Sequence, residues 1–108
     1  MGVSPTEMMQ ELVPEGVDII GANCGNGIEG MIQIVKEIRL CNAVIPVLVH
    51  ANAGMPVYDD GKTVFPESPI QTASYVKAII DAGVNIIGGC CGTTPEHIRQ
   101  IGWVAREL

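Results

Sequence analysis

One twelve-residue segment occurs twice in this chain of 108 residues, and a cysteine stands near the end of both copies. GVDIIGANCGNG covers residues 16–27, and GVNIIGGCCGTT covers residues 83–94. The offset of 83 − 16 = 67 residues needs no gap, and seven of the first ten aligned pairs are identical. Each copy holds a continuous β-branched apolar run, which is typical of a parallel strand buried on both faces. The repeat therefore predicts two equivalent buried strands that end in cysteine.

A third apolar run of the same kind lies between the two copies. The three runs cover residues 17–20, 45–49 and 84–87, and helix signals separate them. Ser4 and Ser68 each precede a proline, with a glutamate or glutamine three residues after the serine, as at a helix start with a capping box. Thr94 precedes Pro95 in the same way, although the residue three positions after it is His97. Apolar residues recur at helical spacing within residues 28–38 and 73–80.

The predicted order is helix, strand, helix, strand, helix, strand, helix, which indicates an α/β fold built from right-handed βαβ units. Three parallel strands leave two hydrophobic edges, and such edges are normally paired or covered. We therefore expect residues 1–108 to form a single partial domain, the last part of a larger sheet or barrel. The long linker at residues 53–67 follows a strand, so we expect it to form a wall of the active site.

Composition excludes several classes of function. The net charge is −6 and the pI about 4.6, whereas a nucleic-acid-binding surface would be basic. No apolar run approaches the roughly 20 residues of a membrane span, and the first residues lack the pattern of a secretory signal. We therefore expect a cytoplasmic protein whose four cysteines are thiols, available for metal binding or catalysis.

Three of the cysteines stand where parallel strands end. Cys24 ends the first predicted strand, and Cys90 and Cys91 end the third. Ligands bind at the carboxyl ends of such strands, and the glycines around Cys90 and Cys91 would let both sulfurs turn the same way. Zn²⁺ prefers soft thiolates in tetrahedral geometry, and three protein ligands leave one position open. Isolated cysteines more often fill a core, and Cys41 is assigned to that class.

The glycine-rich segments also resemble a known family. They are Gly21-Ala22-Asn23-Cys24-Gly25, Asn52-Ala53-Gly54-Met55-Pro56 and Gly88-Gly89-Cys90-Cys91-Gly92-Thr93-Thr94-Pro95. In this order they resemble the signature segments of the homocysteine S-methyltransferase domain, a zinc-dependent (βα)8 TIM barrel. The resemblance covers nearly the whole chain and departs from the family at Ala51, where proline is common. It implies that Cys24, Cys90 and Cys91 are zinc ligands and that the strands are the sixth to eighth of the barrel.

The resemblance further implies a reaction. Zinc coordination would deprotonate the thiol of homocysteine, and the zinc-bound thiolate would attack an activated methyl group. The donor would come from elsewhere, as methylcobalamin on a corrinoid domain or protein or as a small onium compound. The first five βα units of the family barrel are not in this chain, so we expect it to need an N-terminal barrel partner or another copy of itself.

Four polar residues remain to be assigned. Asn23 and Asn52, at the tips of the first two strands, are candidates to hold the substrate or to donate to a zinc-bound sulfur, and turn capping is an equal alternative. His50 lies in an apolar run, which predicts a hydrogen-bonded core histidine. His97, in the first turn of the last helix, is predicted to be a solvated surface residue.

Two other functions stay open at this point. Residues 25–30 match the pattern GxGxxG after a strand, as in dinucleotide-binding folds, but no acidic residue follows at the tip of the next strand. Binding of NAD would distinguish this alternative. The second alternative is a non-catalytic remnant that keeps a zinc site and serves as a partner subunit; the methyl-transfer activity of the chain, alone and with an N-terminal half, would distinguish it.

Overall fold

The computed structural model describes residues 2–108 and shows the predicted alternation of helices and strands, with additions. The helices are α1 (Pro5–Leu12), α2 (Ile28–Cys41), α3 (Pro69–Ser74), α4 (Val76–Ala82) and α5 (Pro95–Arg106), and a 3₁₀ turn covers Val13–Glu15. The strands are β1 (Ile20–Cys24), β2 (Val47–Ala51), β3 (Val57–Asp59), β4 (Lys62–Val64) and β5 (Ile86–Gly89). No helix within residues 2–108 has the length and apolarity needed to cross a bilayer.

A three-stranded parallel sheet forms the centre of the fold and confirms the α/β prediction. Its order is β1-β2-β5, and the repeated segments supply the two outer strands. Cys24 lies level with Ala51, and Ala51 lies level with Gly89. The carboxyl ends of all three strands therefore lie together at one end of the sheet.

The strands begin two or three residues nearer the C-terminus than the apolar runs that predicted them. β1 begins at Ile20, where the first run ends, and continues through glycine and asparagine to Cys24. Ile20 and Val84 are buried, but Ile19 and Ile86 are 49% and 39% exposed, so the predicted burial of these runs on both faces is wrong for residues 2–108. Backbone pairing of the first segment with β2 continues beyond its apolar run. The cysteine of the first copy is consequently the last residue of the strand itself.

The helices cover only one face of the sheet. Val47, Val49 and Ala51 face the helices and are buried, while Leu48 and His50 between them are half-buried on the opposite face. The buried apolar side chains form one cluster: Met9, Ile20, Ile28, Met31, Val35, Ile38, Val47, Val49, Ala51, Val76, Ile79, Val84 and Ile101. The molecule measures 45 × 35 × 18 Å, a slab of one sheet and one helical layer. One sheet face and the outer edges of β1 and β5 are thus uncovered by residues 2–108.

The helix starts agree with the capping signals. Ser4 accepts a hydrogen bond from the backbone of Glu7, and Ser68 forms a complete capping box with Gln71. The helix predicted to start after Ser68 and to include residues 73–80 is divided at Tyr75, where the backbone hydrogen bonds tighten before α4 begins. This division was not predicted, because apolar residues keep their helical spacing through it.

The linker at residues 53–67 contains a short antiparallel hairpin that was not predicted. β3 and β4 pair through the tip Asp60-Gly61, and both tip residues have positive φ, 48° and 78°. Asp-Gly between two short strands is the usual sequence for such a turn. The signal was therefore present, but the strands have three residues each and offered no periodicity.

At the opposite end of the sheet, Arg39 joins α2 to the segments that enter β2 and β5. Its guanidinium donates to the carbonyl of Gly83 at 2.7 Å and to that of Ile45 at 2.7 Å. It also donates to the side chain of Asn85 at 2.8 Å, and Asn85 in turn accepts from the backbone of Val47 at 2.9 Å. One side chain thus sets the spacing between two neighbouring strands and the helix behind them.

Candidate metal centre

The structure brings the three predicted cysteine ligands together at the carboxyl edge of the sheet. The sulfurs of Cys24, Cys90 and Cys91 all lie within 4.8 Å of one another, and those of Cys24 and Cys90 are 3.0 Å apart. Cys24 and Cys90 are half-buried, and Cys91 is exposed. Cys41, at the end of α2, lies outside this group, which we call the cysteine cluster. Cys41 is exposed, so its assignment to the core-filling cysteines was wrong.

Cys24 reaches the cluster through an unusual backbone conformation. Its φ is +63°, in the left-handed region that non-glycine residues seldom adopt. Gly25 follows with φ +68°, so the chain turns sharply as it leaves β1. A strained non-glycine residue at the end of a strand is a common sign of a functional site. Here the strain takes Cys24 out of the alternation of the strand and turns its sulfur toward Cys90.

Glycines shape the turn that carries the other two sulfurs, as the sequence predicts. Cys90 continues the ladder, donating from its backbone to Ala51 at 2.8 Å, and Gly92 then reverses the chain with φ +78°. Phe65, from the linker before α3, packs directly on Gly92, where a Cβ would overlap the Cβ and Cγ of the phenylalanine. The vicinal cysteines are therefore held between a strand and an aromatic side chain.

Replacing Gly92 with alanine should damage this turn. The new Cβ would overlap Phe65 in a backbone conformation that favours glycine, so we expect a loss of about 2–3 kcal/mol in unfolding free energy. Gly30, in α2, has no atom within 4 Å of an added Cβ and serves as the matched control. Gly30→Ala should be neutral or stabilising by up to about 1 kcal/mol. Urea unfolding of both variants checks the prediction, and equal stabilities would contradict it.

Asn52 connects the two cysteine-bearing turns. It is 7% exposed, and its amide donates to the carbonyl of Gly25 at 2.8 Å and accepts from the backbone of Cys91 at 3.0 Å. Its own backbone donates to the carbonyl of Cys24 at 3.1 Å. The Asn52 side chain therefore spans the gap between the ends of β1 and β5.

Asn23 lies on the open side of the cluster. Its side chain is exposed, and the amide nitrogen approaches the sulfur of Cys24 at 3.4 Å. This is the contact expected of a residue that donates to a ligand sulfur. The amide oxygen is not used in this contact.

The pKa values of the two close thiols are shifted in opposite directions. The hydrogen bond with Cys90 and desolvation raise the pKa of Cys24 to about 11. The same hydrogen bond lowers the pKa of Cys90. When no metal is bound, Cys90 is therefore the readier of the two to ionise.

The cysteine cluster fits a tetrahedral thiophilic ion. Zinc–sulfur bonds of about 2.3 Å in tetrahedral geometry place neighbouring sulfurs roughly 3.8 Å apart. The observed separations, 3.0 Å for one pair and at most 4.8 Å for the others, are within about 1 Å of that value. An ion could thus be bound with small side-chain rotations. Three protein sulfurs would occupy three of the four tetrahedral positions, which leaves the fourth to an outside ligand.

Both histidines differ from their predicted environments. The ring of His50 lies against Gly88, on the sheet face that the helices leave open, so it is not a core histidine. His97 is not a solvated surface residue, since it is only 5% exposed. Its ring accepts a hydrogen bond from the backbone of Thr94 and completes a capping box at the start of α5. The amphipathic pattern could not reveal this, because a histidine in the first turn of a helix is usually solvated.

The glycine-rich segment after β1 is occupied by carboxylates rather than prepared for a phosphate. A Cβ on Gly27, the first residue before α2, would lie 3.5 Å from a carboxylate oxygen of Glu67. Glu29 lies in the first turn of the same helix and accepts a hydrogen bond from Tyr75 at 3.2 Å. Glu29, Glu67 and Tyr75 border a cavity of 480 Å³. Two acidic side chains at a helix start disfavour the dinucleotide alternative.

Comparison with known proteins assigns the chain to a family. The family model for homocysteine S-methyltransferase matches residues 1–104. Methionine synthase of Mycobacterium leprae (strain TN) is 40% identical over 89 residues, as is methionine synthase of Mycobacterium tuberculosis (strain ATCC 25618 / H37Rv). These alignments cover 82% of this chain but only 7% of each relative. The chain belongs to the homocysteine S-methyltransferase family.

Proposed function

We propose that this chain supplies the zinc site of a homocysteine S-methyltransferase. The single observation that carries the proposal is the convergence of three sulfurs, from the ends of two non-adjacent strands, within 4.8 Å. When bound, zinc supplies a route to ionise a thiol near neutral pH, where a free alkyl thiol with a pKa of about 8.5 is mostly protonated. The chemistry then needs an open coordination position, which a set of three cysteines leaves.

The residues of the chain have separate roles in this proposal. Cys24, Cys90 and Cys91 hold the metal, and their negative charges favour electron density on the substrate sulfur. Asn23 donates to Cys24 and is the candidate to contact the amino-acid end of homocysteine. For Asn52 the sequence left a substrate contact and turn capping as equal alternatives. Its amide is engaged with Gly25 and Cys91, which favours the second, so we assign it to holding the two turns together.

A stagger in the sheet supports placement of these strands in a closed barrel. The sequence repeat aligns Cys24 with Cys91, whereas the ladder places Cys24 level with Gly89, two residues earlier. Equivalent positions are thus displaced by two residues over two strand intervals, or one residue per strand. An eight-stranded TIM barrel has a shear of 8, which is the same displacement per strand. The open sheet face would then form part of the barrel interior.

The two uncovered sheet edges supply the argument for a partner. In native proteins the outer edge of a sheet is normally paired or covered. Within residues 2–108, β1 and β5 each have an outer edge that is neither. We propose that the remaining βα units of a barrel, on another polypeptide or another part of a longer one, pair with them. The methyl group would be brought by methylcobalamin on a corrinoid domain or by an onium donor such as betaine.

Methionine formation tests the proposal directly. The chain, loaded with Zn²⁺, is incubated with homocysteine and either methylcobalamin or betaine, alone and with an N-terminal barrel part from a family member. We expect methionine only in the mixture, and not when Cys91→Ala replaces the wild-type chain. Stoichiometric zinc without methionine in any mixture would instead favour the non-catalytic zinc-binding remnant, for which the uncovered sheet edges are also an argument.

Zinc affinity should rise with pH. Metal binding must displace thiol protons, and in the metal-free chain Cys24 keeps its proton because the hydrogen bond with Cys90 raises its pKa to about 11. The metal-free state therefore binds more protons than the metal-bound state, and raising the pH favours the latter. We expect the apparent affinity to increase by at least about tenfold per pH unit between pH 6 and 8. Competition titrations with a chromophoric chelator measure it, and a pH-independent affinity would contradict the prediction.

A further inference from the structure

His97 is a buried polar residue that the proposed reaction does not use. Its Nδ1 accepts from the backbone of Thr94 at 3.1 Å and lies 2.7 Å from the hydroxyl of the same residue. Its Nε2 lies 2.8 Å from the carbonyl oxygen of Glu67, thirty residues earlier in the chain. Both ring nitrogens are thus engaged, one by the turn after the cysteines and the other by the linker before α3.

These contacts determine the tautomer of the ring. A backbone N–H can only donate, so Nδ1 must be the acceptor and carries no proton. A backbone carbonyl can only accept, so Nε2 must carry the proton and donate to Glu67. Only the neutral Nε2–H form of His97 satisfies both partners.

The Glu67 contact completes a ring of hydrogen bonds around the cysteine turn. The backbone of Glu67 donates to Ala53 at 3.0 Å, and the backbone of Ala53 donates to Cys91 at 2.9 Å. Hydrogen bonds thus link Cys91 to Ala53, Ala53 to Glu67, Glu67 to His97 and His97 to Thr94, and the chain from Thr94 back to Cys91 closes the ring. His97 is the one residue that joins this ring through its side chain. We call its paired contacts with Glu67 and Thr94 the His97 bridge.

The turn needs such a restraint. Gly88, Gly89 and Gly92 surround the vicinal cysteines, and glycine gives the backbone more freedom than any other residue. A metal site requires its ligands within narrow limits of distance and angle, and flexible ligands weaken it. Something outside the turn must therefore hold it.

We propose that His97 is a positioning residue that fixes the turn at residues 90–94 against the linker and so sets the positions of the Cys90 and Cys91 sulfurs. This inference rests on the proposed function, since its purpose is metal geometry. Its effect acts through hydrogen bonds to the backbones of Thr94 and Glu67, and His97 is not a member of the cysteine cluster.

Two substitutions distinguish the contact of His97 with Glu67 from its helix-capping contact with Thr94. Glutamine and glutamate can both accept from the backbone of Thr94, as Gln71 does from Ser68 in α3. Only glutamine can also donate to the carbonyl of Glu67. We expect His97→Gln to bind Co²⁺ with nearly wild-type affinity and His97→Glu to bind it about tenfold more weakly, with less thiolate-to-cobalt absorption per ion. Gln71→Glu makes the same change in the other capping box and should leave Co²⁺ binding unaltered.

Further measurements keep the outcomes distinct. Repeating the titrations at about 0.5 M salt screens the added charge, so a difference that disappears there would overturn the proposal. Circular dichroism spectra check whether each variant is folded.

If the wild-type chain binds no Co²⁺, the proposed function fails. The bridge is then judged on the metal-free chain: nitrogen-15 shifts of His97 should show the Nε2–H tautomer, and iodoacetamide should modify Cys91 faster in His97→Glu. The Nδ1–H tautomer, or equal modification rates, would overturn it.

Discussion

Cys24→Ser, Cys90→Ser and Cys91→Ser should each weaken zinc binding by more than about 100-fold. Changes in residues that merely support a ligand already cost 10- to 100-fold, and each of these variants removes a ligand itself. The three sulfurs lie within 4.8 Å of one another, so all three variants should fail alike although residues 24 and 90 are far apart in sequence. Metal analysis after dialysis against a weak chelator, supported by zinc competition titrations, measures the effect.

Cys41→Ser is the matched control for this set. Cys41 is exposed, at the end of α2 and outside the cluster, so its replacement should leave the zinc content at one ion per chain. One zinc ion per chain in all three cluster variants would remove the basis of the proposed chemistry. A loss caused by Cys41→Ser alone would place the metal at another site.

Arg39→Met should cost about 3 kcal/mol of unfolding free energy. The methionine keeps much of the side-chain length but leaves the carbonyls of Gly83 and Ile45 without a charged donor. Hydrogen bonds to charged groups contribute about 1.5–3 kcal/mol each, and small domains have only about 5–15 kcal/mol in total. Arg39→Lys should recover less than half of the loss, since an ammonium cannot reproduce the planar fork. Urea denaturation of the metal-free chain measures both.

Arg99→Met provides the comparison for an arginine of a different kind. Arg99 forms an exposed ion pair with Glu96 at 2.7 Å in α5, and such pairs contribute at most about 1 kcal/mol. The two arginines should therefore differ by about 2 kcal/mol or more. Equal losses would mean that the interactions of Arg39 at the amino end of the sheet contribute no more than a surface contact.

The sequence was sufficient for the class of fold because its strongest signals are local. Apolar runs, serine caps and the proline after each cap act within a few residues, so the alternation of helix and strand and the parallel sheet could be predicted. The hairpin at residues 57–64 could not, because strands of three residues leave no periodic pattern. The division at Tyr75 was missed for the opposite reason, since the helical pattern continues across it.

The candidate site shows the same limit more sharply. The convergence of Cys24 with Cys90 and Cys91 could be predicted, because strand ends of a parallel sheet lie together. The contacts of Asn52 with Gly25 and Cys91, and that of His97 with Glu67, could not. In each of them the partner is a backbone group, which leaves no trace in the identity of its residue. Side chains that hold turns in place by this means look like ordinary polar residues in the sequence.

The distance along the chain between the clustered sulfurs has a consequence for unfolding. Cys24 and Cys90 are 66 residues apart, so an ion held by both would act as a reversible cross-link across most of the polypeptide. Cross-links that close long segments restrict the denatured ensemble most, as disulfides do. Heating would therefore have to break the coordination before the two ends of this segment could separate. Melting curves of the metal-loaded chain should therefore have a higher midpoint without a chelator than with one. The melting temperature of the chain would then depend on the concentration of available metal.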